Sequence, residues 1–168
     1  DLWNFDLAAP PILTTLKKQG KNIDVVTVVS KTGNTYILDR DTGLSLFKIT
    51  KKRSPISNVP GEKTNPYYLE VDLPEPICRI KMTEDEISDL PYVNQDKIKE
   101  IFYKSETGFP TPPKLGIKNI QMGGCVRWAG ASIDTKKNIM YVSADQSPYL
   151  VSIIKNPEWI GNYTHKWE

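Results

Sequence analysis

The 168-residue sequence predicts an all-β chain of antiparallel meanders interrupted by a long, partly helical insertion. Two stretches, 12–49 and 119–155, alternate short β-branched or aromatic runs with Gly, Asn and Asp turns. Between them lies a proline-rich segment with only two short helical patterns.

The elements follow in order. Double proline at Pro10-Pro11 forces an extended entry, and Ile12 to Leu16 supplies the first short strand. Lys17 to Asn22, with Gly20, reads as a hairpin loop. The apolar run Val25–Val29 lies within a strand over 24–30, ending at the turn Ser30-Lys31-Thr32-Gly33-Asn34. A third strand is expected over 34–40, then the turn Asp39-Arg40-Asp41-Thr42-Gly43, then a fourth strand over 44–49 anchored by Phe47. Four short antiparallel strands form the unit of a propeller blade. Residues 50–118 read as insertion. Thr83 to Glu86 is a capping-box pattern ended early by Pro91, and Asn94 caps a helix presenting Ile98, Ile101 and Phe102. Strands return at Cys125–Asp134, Ile139–Ala144 and Tyr149–Lys155, a second meander within a blade over 119–155. The tail 156–168, with Trp159, Tyr163 and Trp167, is too aromatic for a linker and reads as a cap or the start of another blade.

Composition narrows the function. A net charge of +2 argues against nucleic acid as partner, and the lysine pairs beside turns read as solvated loop charge. No apolar run approaches the ~20 residues of a membrane-spanning helix. His165 is the sole histidine, which disfavours a Ser-His-Asp hydrolase or a multi-histidine metal site within the chain. Cys78 and Cys125 have no metal-site spacing; two buried free thiols are expected, with a single disulfide as the alternative. Opening on Asp1 inside apparent structure, the chain reads as a piece of something longer.

Several motifs together resemble the pyrroloquinoline-quinone (PQQ)-dependent dehydrogenases, most closely the membrane-bound quinoprotein glucose dehydrogenases. Asp1-Leu2-Trp3-Asn4-Phe5-Asp6-Leu7-Ala8-Ala9-Pro10 is similar to that family's Trp-Asp-x-Asp-Leu-Pro-Ala stretch. Lys31-Thr32-Gly33-Asn34 with Tyr36-Ile37-Leu38-Asp39-Arg40 resembles its Lys-x-Gly turn and following strand. Phe109-Pro110-Thr111-Pro112-Pro113 resembles its Phe-Thr-Pro-Pro, and Arg127-Trp128-Ala129-Gly130 its Trp-Gly-Gly strand. The matches keep their order along the chain and are interrupted over 50–105.

The resemblance implies an eight-bladed β-propeller holding PQQ and calcium near its axis. At about 40–50 residues per blade, this chain accounts for two blades and the insertion. It implies a periplasmic parent that oxidises a sugar or alcohol hydroxyl and passes electrons to a membrane quinone or cytochrome. The isolated piece is expected to be inactive and to self-associate through uncovered sheet faces. The alternative is a non-catalytic propeller module serving binding or scaffolding.

Site residues follow from the same resemblance. Lys31 matches the cation that bonds the quinone oxygens, against an ordinary turn lysine. Asn4 stands where the family has its catalytic aspartate beside calcium. An amide offers a carbonyl oxygen to calcium but accepts no proton at neutral pH. The expectation is impaired chemistry, with Asp6 or Asp1 as substitute base. Trp128 matches an aromatic near the cofactor floor, with a buried core tryptophan as the alternative. Arg127 brings a second cation near the quinone. Arg79 reads as structural, and the sequon Asn162-Tyr163-Thr164 as a chance match.

Overall fold

The computed structural model describes residue 3 and residues 6–168, except for the side chain of Trp167. Asp1, Leu2, Asn4 and Phe5 lie outside the described residues.

The chain is built from antiparallel sheets, as its alternation predicts. Strands β1 (Ile12–Lys18), β2 (Lys21–Val29) and β3 (Thr35–Asp39) form a three-stranded sheet in that order. Gln19 and Gly20, at φ 51° and 78°, make the two-residue hairpin that pairs Lys18 with Lys21. The register places Val25, Thr27, Val29 and Thr35 on one face, and all four are buried. The opposite face carries Leu13, which is exposed, with half-buried Val26 and Leu38 opposite it.

The expected fourth strand over 44–49 is reduced to one bridge, Leu38 to Ser45. The turn Asp39–Gly43 itself forms where expected, with Asp39 Oδ1 accepting from the backbone and hydroxyl of Thr42, each at 2.8 Å. Strand β4 (Ile49–Arg53) then leaves the sheet to form a separate hairpin with β5 (Tyr67–Val71). In the insertion, a 3-10 turn at Glu84–Glu86 carries the expected capping box. Helix α1 (Gln95–Tyr103) starts where Asn94 Oδ1 accepts the Lys97 amide at 3.0 Å.

The second half differs more from the sequence pattern. Cys125–Gly130 forms turns rather than strand, and β8 (Ala131–Asp134) pairs only with β9 (Ile139–Val142) among the described strands. Strand β10 (Pro148–Lys155) joins a different sheet, in the order β11-β10-β7-β6. Its other members are β6 (Glu106–Thr107), β7 (Asn119–Met122) and β11 (Tyr163–Trp167), so the aromatic tail completes a sheet. The β6–β7 contact is parallel and the other pairings are antiparallel. Ile120 and Met122 point towards Phe102 of α1 and towards Met82, which sends Asn119 and Gln121 to the opposite face of β7.

The two cysteines are joined, which corrects the expectation of free thiols. The Cys78–Cys125 disulfide spans Cα atoms 5.8 Å apart, well inside the range that a bridge requires. Spacing along the chain carried no sign of this, because the insertion folds back to bring residue 78 against the turn after β7. The bridge sits in a core of Ala9, Val29 and Val126, flanked by Met140 and Val142 of β9.

Candidate functional site: a cleft around Lys31

Four separated parts of the chain converge on one cleft of ≈ 540 Å³: Trp3, Asp6 and Ala8 before β1, Lys31 in the turn after β2, the end of β7 with the turn that follows it, and Tyr149 at the start of β10. Its volume lies within the ordinary range for small-molecule sites.

Lys31 sits at its floor because the turn that carries it is over-determined. Ser30 Oγ contacts Thr32 Oγ1 at 2.8 Å, and Asn34 Nδ2 donates to Thr32 Oγ1 at 3.0 Å, all within buried residues. The Ser30 amide donates to the Asn34 carbonyl at 3.0 Å, and Gly33 at φ 81° presses against the backbone of Cys78. The Lys31 carbonyl accepts the Cys125 amide at 2.9 Å, tying this turn to the disulfide. The Lys31 side chain is 17% exposed and ion-pairs with Asp6, whose side chain is 62% exposed. That hydrogen bond from Lys31 holds the Asp6 carboxyl below its ordinary value, against a smaller opposing effect of desolvation.

Gly123 and Gly124 are needed at the rim. A Cβ on Gly124 would meet the Lys31 stem at 3.1 Å, and one on Gly123 would meet the Tyr149 ring at 2.6 Å. The bare backbone therefore lets both side chains into the cleft. Arg127 Nη2 donates to Asp145 Oδ2 at 3.1 Å and to the Tyr149 hydroxyl at 3.4 Å. The Asp145 carboxyl is held low, first by the Ser147 hydroxyl and amide and then by Arg127. Trp128 is 83% exposed, so the core alternative is excluded, and its ring lines the cleft. Trp3 is buried, donates from Nε1 to the Pro110 carbonyl at 3.1 Å, and packs edge-on against Phe109. The opening motif and the Phe-Pro-Thr-Pro-Pro motif are thus neighbours in space.

Gln121 was not singled out from the sequence. It is 4% exposed, lines the cleft, and its Nε2 has no hydrogen-bond partner among the described residues. An unsatisfied buried donor of this kind costs about 1–3 kcal/mol. The available signal was a glutamine between Ile120 and Met122 in a strand that alternates polar and apolar residues. Of the expected site residues, Lys31, Asp6, Arg127 and Trp128 are brought together, Arg79 lies elsewhere, paired with Glu86, and Asn4 lies outside the described residues.

Residues 1–167 match the family described as PQQ "Glucose/ethanol/alcohol dehydrogenase, beta-propeller domain". The chain belongs to this family. Among curated relatives, it is 24% identical to quinoprotein glucose dehydrogenase A of Acinetobacter calcoaceticus, over 92% of this chain and 20% of that protein. It is 25% identical to quinoprotein glucose dehydrogenase of Escherichia coli, over 96% of this chain and 20% of that protein. A quinate/shikimate dehydrogenase (quinone) of Acinetobacter baylyi is 37% identical over 75 residues, covering 42% of this chain and 9% of that protein. The chain spans about a fifth of the length of the glucose dehydrogenases it matches. No solved structure matches it.

The residues present suit the family's cofactor. The cleft provides a half-buried cation at Lys31, the flat exposed face of Trp128, and a glycine rim that leaves room beside the lysine stem. A quinone needs such donors, because its carbonyl oxygens only accept. Among the described residues there is no group of three or more His, Cys, Asp or Glu able to hold a metal.

Proposed function

We propose that this chain forms part of the cofactor site of a quinoprotein dehydrogenase that oxidises a sugar or alcohol hydroxyl. The observation that carries the reading is Lys31, fixed by its buried turn and by Cys125 at the floor of a ligand-sized cleft, in a chain matched to the PQQ family along its length. Bound there, PQQ would supply the two-electron acceptor for substrate oxidation. Lys31 would hold the quinone oxygens, Trp128 would lie against the ring, and the Gly123-Gly124 backbone would leave the space the cofactor needs. Lys31 also places a fixed positive charge where the quinone oxygen gains negative charge, the electrostatic effect expected to lower the barrier. Calcium, with Asn4 as a ligand, belongs to the same proposal on the strength of the motif at 1–10, as does a periplasmic parent delivering electrons to a membrane quinone or cytochrome. The face bearing Leu13 supports self-association of the isolated chain.

The test is a titration of the chain with PQQ in the presence of calcium, followed by absorbance and tryptophan fluorescence. A saturable shift that weakens in Lys31→Ala supports the proposal, and no binding overturns it.

One observation favours the non-catalytic alternative. Asn4 cannot act as a base, and the substitute Asp6 has its carboxylate engaged by Lys31 and held at low proton affinity. A site that binds the cofactor and turns over slowly is the outcome this arrangement supports.

A further inference from the structure

We propose that a second pocket, between the loop at 57–62 and the loop at 156–162, binds a small organic cation carrying an alkylated ammonium group. The pocket has a volume of ≈ 360 Å³ and shares no lining residue with the cleft around Lys31.

Both of its walls are fixed before any ligand arrives. On one side the Glu62 amide donates to the Val59 carbonyl at 3.1 Å, and the Val59 amide donates to Ser57 Oγ at 3.0 Å. Asn58 Oδ1 accepts the Leu115 amide at 3.0 Å, which ties this loop to the residue bridged to Ile153 of β10. On the other side the Asn156 amide donates to the Asn162 carbonyl, and the Asn162 amide to the Trp159 carbonyl, both at 2.8 Å. The floor is apolar, since Val59 and Ile153 are buried and pack with Tyr163. Walls arranged in advance lower the ordering cost of binding.

The ligand's chemistry follows from what faces this space. Trp159 lines it and is 60% exposed, so its indole is carried by the loop rather than by a core. Tyr163 adds a second ring, and the faces of such rings attract a cation. Glu62 lines the same pocket, half-buried, and its carboxylate has no hydrogen bond or ion pair among the described residues. The carboxylate oxygens are not sealed from solvent, so a ligand in the pocket can reach them. No lysine or arginine lines the pocket to neutralise that charge. Methyl groups on the nitrogen suit the apolar floor, whereas a primary ammonium brings three N–H donors that Val59 and Ile153 cannot satisfy. A neutral sugar also stacks on an indole, but it leaves the carboxylate charge uncompensated.

The probe is choline, compared with its uncharged carbon isostere neopentylcarbinol and with glucose. Each is titrated into the 168-residue chain while the tryptophan indole N–H signals are followed by NMR, with the Trp159 signal assigned from Trp159→Phe. The expected result is saturable choline binding that shifts the Trp159 signal, ~10-fold or more tighter than the isostere or glucose. Glu62→Gln keeps the shape, removes the charge and brings choline down to the level of its isostere. Trp159→Leu weakens choline binding by ~10-fold or more, and Trp159→Phe keeps part of it. Lys31→Ala leaves choline binding as it is, because Lys31 does not line this pocket. Equal binding of choline and its isostere, tighter binding of glucose, or choline binding unchanged in Glu62→Gln overturns the proposal. So does the absence of a saturable choline shift in the folded wild-type chain. Loss of the choline response in Lys31→Ala assigns it to the cleft and overturns the proposal too. Sedimentation with phosphatidylcholine vesicles that is lost in Glu62→Gln assigns the group to a lipid headgroup and overturns the free ligand.

Discussion

Removing the disulfide should cost this chain much of its stability and disturb the cleft at the same time. The bridge closes a sequence separation of 47 residues, for which the chain-entropy relation gives ~4 kcal/mol at room temperature. Natural domains are stable by only about 5–15 kcal/mol, so the loss is a large fraction of the total. For a chain of this size the expected fall in melting temperature is roughly 8–16 °C. Cys78→Ala/Cys125→Ala is preferable to serine, because both cysteines are buried and a hydroxyl there would need a partner. The assay is urea denaturation of the oxidised chain and the double variant, with the bridge verified by mass. Amide exchange provides a local readout. The Cys125 amide donates to the Lys31 carbonyl, so its protection should fall when the bridge is removed. A double variant within ~1 kcal/mol of the oxidised chain, with the Cys125 amide still protected, would refute both the stabilisation and the link to the Lys31 turn.

Three further outcomes are expected. Asn4→Asp in the full-length parent should raise kcat by about 10²–10⁴-fold with little change in PQQ affinity; unchanged turnover, combined with its abolition by Asp6→Asn, would assign the base to Asp6. Gly108→Ala should destabilise by more than about 1–2 kcal/mol, since Gly108 has φ 78° and an added Cβ would lie 2.8 Å from Lys81 Cβ and 2.9 Å from the Ile80 carbonyl; a thermal melt matching the parent would contradict this. Glu168 is held at a pKa of about 2, first by its hydrogen bond from Lys118 and then by that from Lys166. Its folded value is depressed, so its stabilising contribution is present above the ordinary value of 4.5 and is lost as pH falls towards 2. Glu168→Gln should flatten the pH dependence of stability in that window, most visibly at low salt, and an unchanged profile would contradict the pairing.

Local features of this chain were legible because they are settled within a few residues. Gly20 makes its hairpin, Asp39 organises its turn through Thr42, and Asn94 caps its helix, each by a hydrogen bond or a backbone conformation that neighbouring residues determine. The strands expected over 12–16, 24–30 and 34–40 appear at 12–18, 21–29 and 35–39, and the expected loop over 17–22 shrinks to Gln19-Gly20 because the pairing continues through Lys17 and Lys18 to Asn22 and Lys21. Motif order along the chain was enough to indicate the family.

Partnership between distant segments was decided by the tertiary structure. Strand β10 has the same apolar pattern whether it follows β9 or inserts between β7 and β11, and tertiary packing, of Leu150 with Ile120 and Met122 and of Ile153 with Val59, Leu115 and Tyr163, accompanies the second. The same folding turns Gln121 away from that core to line the cleft, its buried Nε2 without a hydrogen-bond partner among the described residues. Trp128 could not be assigned to core or cleft from composition, because exposure depends on which segments cover it. The Cys78–Cys125 bridge is of the same kind: it requires two backbones within 5.8 Å, a distance that arises only after the insertion has folded back across the Lys31 turn.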